Sequence, residues 1–216
     1  MTASIDSDTY ERNVKFWERA WSAVKTPYTQ MPDLPYLESI PAALKKGKVQ
    51  RVLDLGCGSG WLAVYLARQG FAVTGVDVAP PALELAGMWA MQEKLPIDFQ
   101  VADIAHLSLP PGSFDAVVAN SIFEHLTYDL ARSALAQLKD ILRPGGIFFG
   151  CFDKVGTGPG EYFQLEDGSH IYTDRAREGM LLRNFSDDEL VELFAGWEII
   201  SLETIESGSR LVFARS

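Results

Sequence analysis

The stretch Val52-Leu53-Asp54-Leu55-Gly56-Cys57-Gly58-Ser59-Gly60-Trp61 decides the fold. A short apolar run ends in glycines at alternate positions. A helical pattern starts at once, with Leu62, Tyr65 and Leu66 on one face and Gly70 as its stop. Strand, glycine turn and helix in this order open a βαβ unit that binds a nucleotide-like ligand. Glycine lets the backbone come close, and the helix N-terminus offers free N–H donors. The turn departs from the dinucleotide form Gly-x-Gly-x-x-Gly, which would put its third glycine at 61. Trp61 stands there instead, and the glycine is at 60. An indole at that point crowds a pyrophosphate. Asp54, at the strand end, places a negative charge that repels a pyrophosphate and holds a cation.

Downstream, 71–77 reads as a second strand ending in Gly75-Val76-Asp77. A carboxylate at that end can accept from both hydroxyls of a ribose. Val78 follows, and Pro80-Pro81 opens a helix running to Glu93, since proline is tolerated in a first turn. A third strand over 97–101 leads into Ala102-Asp103-Ile104. The fourth, 114–119, is apolar on both faces, as a central parallel strand should be. It delivers Asn120-Ser121-Ile122-Phe123-Glu124-His125-Leu126. A helix with Leu130, Ala134, Leu138 and Ile141 on one face follows. Leu142-Arg143-Pro144-Gly145-Gly146 stops it, and 147–152 is a fifth strand.

The run Leu53-Asp54-Leu55-Gly56-Cys57-Gly58-Ser59-Gly60 closely resembles the first motif of class I S-adenosylmethionine-dependent methyltransferases. The helix–Leu142-Arg143-Pro144-Gly145-Gly146–strand run resembles another mark of that family. The resemblance covers about residues 50–150 by motif and the rest by pattern. It implies a cofactor, S-adenosyl-L-methionine, that carries an ammonium, a carboxylate and a sulfonium and no phosphate. It implies that Asp54, Gly56, Cys57, Gly58 and Gly60 shape and flank the turn around the methionine part. Asp77 and Val78 would flank the ribose, and Asp103 and Ile104 the adenine. Asn120 and Ser121 would stand at the amino-acid end, beside the methyl donor. His125 follows closely and is the candidate base, because an imidazole titrates near neutrality; capping or packing of the next helix is the equal alternative. The segment Phe16-Trp17-Glu18-Arg19-Ala20-Trp21, with Thr26-Pro27-Tyr28, faintly resembles the N-terminal region of thiopurine, thiol/halide and tellurite methyltransferases.

Outside the core, residues 1–9 read as a mobile tail. A helix over 10–25 carries Val14, Trp17, Trp21 and Val24 on one stripe: core packing, or a lid over the cofactor. A second helix over 36–46 is interrupted near Pro41. Residues 153–184, rich in glycine, read as an irregular acceptor-side loop. Ser186-Asp187-Asp188-Glu189 is a capping box that starts a helix to 195. Strands over 197–205 and 210–214 close an antiparallel hairpin. The expected fold is therefore α/β and Rossmann-like: a seven-stranded, mostly parallel sheet with a reversed last strand and helices on both faces. The single domain divides into N-terminal cap helices (1–48), a cofactor core (49–152), the acceptor-side loop (153–184) and the C-terminal helix and hairpin (185–216).

The 216 residues carry a net charge of −10. A phosphate backbone needs a basic face, so nucleic acid is not the expected partner; Arg175, Arg177 and Arg183 form the one cationic cluster in view. No apolar run approaches the roughly 20 residues of a membrane span. Cys57 and Cys151 are the only cysteines, which suggests a reduced, cytoplasmic protein without a metal site. The expected function is methyl transfer to a small-molecule acceptor. An NAD-dependent oxidoreductase and a non-catalytic cofactor-binding protein are the alternatives.

Overall fold

A computed structural model describes residues 7–154 and 160–216. The glycine turn does what its sequence demands. β1 (Arg51–Leu55) runs into α3 (Trp61–Arg68) through Gly56, Gly58 and Gly60, all with positive φ. Two helices precede it, α1 (Ser7–Ser22) and α2 (Ser39–Lys46). β2 (Ala72–Asp77), α4 (Pro80–Glu93), β3 (Asp98–Val101), β4 (Phe114–Asn120), α5 (Tyr128–Ile141) and β5 (Leu142–Phe152) complete the parallel part. β6 (Tyr162–Gln164), β7 (His170–Tyr172) and β8 (Leu181–Leu182) follow, then α6 (Asp187–Leu193), β9 (Glu198–Thr204) and β10 (Arg210–Arg215).

The main sheet has the order β3-β2-β1-β4-β5-β10-β9. β10 is antiparallel to both β5 and β9, and the pairings of β1 to β5 with one another are parallel. This is the expected sheet with its reversed last strand. The central strands are apolar on both faces because both faces are covered. Val52, Ala116 and Val118 pack with α2 and α3 on one side. Leu53, Leu55, Val117 and Ala119 pack with α5 and α6 on the other. The order reverses at β1 and β4, so a crevice opens at their C-terminal ends, where open α/β sheets bind ligands.

Several boundaries differ from expectation. The helix read over 10–25 starts at Ser7 and ends at Ser22, so residues 7–9 of the tail expected over 1–9 are helical, and residues 1–6 lie outside the described residues. Pro41 does not interrupt α2. It sits in the first turn, where a missing N–H costs no intrahelical bond. Residues 142–146 belong to β5, and the parallel register with β4 shifts between Phe114 and Ala116.

The larger correction concerns 153–184, where β6, β7 and β8 form a separate three-stranded antiparallel sheet. Tyr172, Met180 and Leu182 are buried there. β6 is exposed throughout and β8 has two residues, so neither shows an alternation that reads as a strand. Residues 155–159 of that expected loop lie outside the described residues. The capping box at Ser186 forms as read: Ser186 Oγ accepts from the Glu189 amide, and the Glu189 carboxylate accepts from the Ser186 amide.

Candidate active site

A cavity of about 260 Å³ lies at the crevice. Gly56, Cys57, Gly58, Asp77, Val78, Ile104, Asn120, Ser121 and His125, all expected at the site, line it. Trp17, Trp21, Ser59, Trp61 and Ile122 complete most of the wall. Two of the three turn glycines border the cavity. A Cβ on Gly56 would stand 2.6 Å from Ile122 Cγ1, and one on Gly58 would stand 3.0 Å from the Trp21 ring. Gly60 lies outside the wall and serves packing, since a Cβ there would stand 2.8 Å from Ala86 Cβ on α4.

Asp54 stands beneath the cavity and not in its wall. It is 2% exposed, and Oδ2 has no partner among the described residues. Burial pushes its carboxyl up to about 7, with the Ala63 backbone bond opposing the shift and the nearby Asp77 charge adding to it.

Asp77 is in the wall, with Oδ2 accepting from the Gly58 amide and Oδ1 from the Ala79 amide, each at 2.9 Å. Burial raises its pKa while these backbone donors oppose the shift. Asp103 lies outside the 260 Å³ cavity and lines a neighbouring one that shares Val78. Its carboxylate accepts from the Tyr10 hydroxyl and the Ala105 amide and meets His106 Nδ1 at 2.9 Å.

At the end of β4 the chain turns sharply. Ser121 adopts φ 54°, a left-handed value uncommon outside glycine and one that clusters at functional sites. Asn120 Oδ1 accepts from the Tyr36 hydroxyl at 2.7 Å. Asn120 Nδ2 donates to Ser121 Oγ, which in turn donates to Asp153 Oδ2 at 2.6 Å. Glu124, 1% exposed, accepts from the Asp153 amide, and burial pushes its pKa up to about 8.

His125 sits in a short 3-10 turn, Phe123–His125. Its Nδ1 lies 3.0 Å from the Leu181 carbonyl oxygen. A carbonyl only accepts, so Nδ1 carries the proton, and the neutral ring leaves the Nε2 lone pair free. Burial lowers the pKa of His125, which favours that neutral ring. The Trp17 ring meets the imidazole edge-on, centroids 4.5 Å apart, and Trp17 Nε1 is buried without a partner among the described residues.

The tryptophan stripe of α1 therefore closes the cavity, and Asn13, Tyr10 and Tyr36 join the surroundings unforeseen. Asn13 is one helical turn before Trp17 and two before Trp21, a spacing that held the signal for it. Arg183 leaves the expected cationic cluster: it is 4% exposed and pinned by Asp167 and Glu189. Arg177 pairs with Asp174 and lies over the Tyr172 ring. Among the described residues no helix is long and apolar enough to cross a membrane, and no group of three or more His, Cys, Asp and Glu stands together to hold a metal ion.

The wall fits S-adenosylmethionine. It holds no lysine or arginine to meet a phosphate, and Trp61 occupies it where a dinucleotide motif needs glycine. Its glycine cradle is space that a Cβ would fill, and Trp17 Nε1 is an unused donor at its edge.

Residues 52–146 match the family described as "Methyltransferase domain". A ubiquinone biosynthesis O-methyltransferase of Xanthomonas campestris pv. campestris (strain B100) is 37% identical over 100 residues, 46% of this chain and 41% of that protein. The chain thus spans under half the length of the curated relatives it matches. The PH0226 protein of Pyrococcus horikoshii OT3 shares the fold, with a TM-score of 0.73 at 20% identity over 91% of this chain and 98% of that one. So does the 1,6-didemethyltoxoflavin-N1-methyltransferase of Burkholderia thailandensis, solved with S-adenosylhomocysteine, with a TM-score of 0.66 at 22% identity over 100% of this chain and 93% of that one. The dinucleotide alternative falls with these matches. The sheet order, the glycine turn and the matched domain agree: residues 52–146 are similar to a methyltransferase domain, within a chain that has the fold of S-adenosylmethionine-dependent methyltransferases.

Proposed function

We propose that the protein transfers a methyl group from S-adenosylmethionine to a hydroxyl or amine of a small-molecule acceptor, with His125 Nε2 taking the acceptor's proton. The observation that carries this reading is the bond between His125 Nδ1 and the Leu181 carbonyl, which leaves Nε2 as the basic nitrogen of a cavity-lining ring. The bound cofactor supplies an electrophilic methyl on a positively charged sulfur. The chain's own residues bind, orient and exclude water, which together can supply much of the rate.

In this reading the backbone of Gly56, Cys57 and Gly58 borders the methionine part, and Asn120 and Ser121 meet its amino-acid end. Asp77 and Val78 hold the ribose, Asp103 and Ile104 the adenine, and Trp17 and Trp21 cover the site. The segment 153–184 faces the acceptor, and the protein works in the cytoplasm.

A thiolate or metalloid anion is already nucleophilic and needs no base. A lowered-pKa histidine with a free Nε2 favours acceptors that must lose a proton. The relatives' names, an O-methyltransferase and an N1-methyltransferase, fit that class.

Labelled cofactor incubated with a cell metabolite extract identifies the acceptor; binding without any labelled product would leave a cofactor-binding protein. On the acceptor found, His125→Ala should lower the single-turnover rate by about a hundredfold or more, within the usual range for a positioned base. The wild-type rate should rise with pH through the lowered histidine pKa and then level off, and the variant should lose that limb. A loss below about fivefold, at unchanged affinity for S-adenosylhomocysteine, would remove His125 as the base and leave positioning alone.

A further inference from the structure

The nitrogen that His125 offers to the cavity is set by a residue in another part of the chain. Asn13 of α1 is 3% exposed and outside the cavity wall. Its Nδ2 donates to the His125 carbonyl at 3.0 Å, and its Oδ1 accepts from the Leu181 amide at 3.0 Å. The Leu181 carbonyl accepts from His125 Nδ1. One asparagine amide therefore ties the backbone of the histidine to the residue that orients its ring. Trp17, one turn further along the same helix, closes on the imidazole from the side. The arrangement is a carbonyl-oriented imidazole with a third group fixing the carbonyl, and each polar atom of Asn13 that takes part has a single backbone partner. An asparagine suits this place, because one side must donate and the other accept.

We propose that Asn13 is a positioning residue for His125, holding Leu181 by its amide so that the carbonyl of the same residue keeps the imidazole proton on Nδ1 and Nε2 is presented as the base. This rests on the reading of His125 as the base; the fixing of the tautomer does not require any ligand.

The test is nitrogen-15 NMR of the imidazoles in the ligand-free protein, where three histidines give three resolvable ring systems. Wild type should show His125 neutral and protonated at Nδ1. Asn13→Ala should lower the ratio of Nδ1–H to Nε2–H forms by at least about fivefold, the weight of one net hydrogen bond. Asn13→Asp can still accept from the Leu181 amide and should keep the Nδ1–H form, which covers the case in which Asn13→Ala does not fold. An unchanged ratio in folded Asn13→Ala, or an Nε2–H histidine in wild type or in Asn13→Asp, would overturn the proposal. The tautomer is read without cofactor or acceptor, so a failure to find methyl transfer would count against the proposed function and not against this result. With the acceptor in hand, Asn13→Ala should lower the single-turnover rate while affinity for S-adenosylhomocysteine stays within about twofold, since Asn13 borders no part of the cavity.

Discussion

On the strand-end wall of the cavity, Asp77 accepts from the Gly58 amide 19 residues away. On the α1 wall, Tyr10 reaches Asp103 across 93 residues, and Asn13 reaches His125 and Leu181 across 112 and 168. The two walls border one ligand space but differ in how they are held. The first is built inside one βαβ unit, where glycine conformation and a strand-end acid fix the geometry locally. The second is a helix strapped across the crevice by a few polar bonds to three separate elements. Few bonds over long loops make for local opening at low cost, so the α1 wall is the side expected to yield when a ligand enters.

The strand-end wall should break most severely. Gly56→Ala puts a Cβ at φ 67° and 2.6 Å from Ile122 Cγ1, so backbone strain and overpacking together should cost about 3 kcal/mol. Denaturant unfolding gives that loss, and calorimetry should detect no binding of S-adenosylhomocysteine. Gly70→Ala, positive in φ but with open space around it, separates strain from crowding and should retain binding.

Asp77→Ala comes next. If the carboxylate accepts ribose hydroxyls, removing it leaves them unpaired; a bond to a charged group is worth roughly 1.5–3 kcal/mol, so affinity should fall at least about tenfold. The same variant also orphans the Gly58 and Ala79 amides, so its melting temperature should fall as well. An unchanged dissociation constant would end the ribose assignment.

The α1 wall should respond more gently. Tyr10→Phe deletes the bond to Asp103 and keeps the ring, a change of about 1 kcal/mol that should speed amide exchange across Ser7–Ser22 by about fivefold. S-adenosylhomocysteine should slow exchange in that helix and in the small sheet over 160–182, while β1 stays unchanged. Equal protection with and without ligand would make α1 a fixed wall.

The last test is of stability against pH. Burial holds Asp54 up to about 7 and Glu124 up to about 8 in the folded protein, well above their ordinary values near 4. The fold therefore binds protons that the unfolded chain has released. The stability these neutral carboxyls contribute is complete below about pH 4 and is lost as pH rises through about 7 and 8. The melting temperature should fall between pH 6 and pH 8.5. Glu124→Gln, which cannot ionise, should flatten that slope; an equally steep slope would mean Glu124 is ionised in the fold.

What could be read in the chain follows the same division. The strands, the glycine turn, the reversed last strand and the capping box at Ser186 are local patterns, each specified within a dozen residues, and the structure has them. Gly56, Gly58, Asp77, Asn120 and Ser121 were legible as neighbours at one crevice, whose cavity they line, because they stand at fixed offsets from strand ends. Asp54 was legible as a position, while the burial that raises its pKa is imposed by the whole sheet and has no local pattern. The small sheet of β6, β7 and β8 was not legible: two of its strands have no alternation, and its buried residues pack on one another and on Phe16 of α1.

The sequence by itself determined the mostly parallel sheet with its reversed last strand and the glycine turn that opens it, because hydrophobic period, glycine and strand-end polar groups act over short stretches of chain. Only the tertiary structure decided which nitrogen of His125 is free, that Asp103 is shared with Tyr10, and that Asn13 bridges His125 and Leu181. Those facts depend on where distant backbone carbonyls and amides come to lie. Hydrogen bonds across 56, 93 and 168 residues leave no spacing in the sequence from which to read the partner, even where helical spacing marks the face a residue stands on.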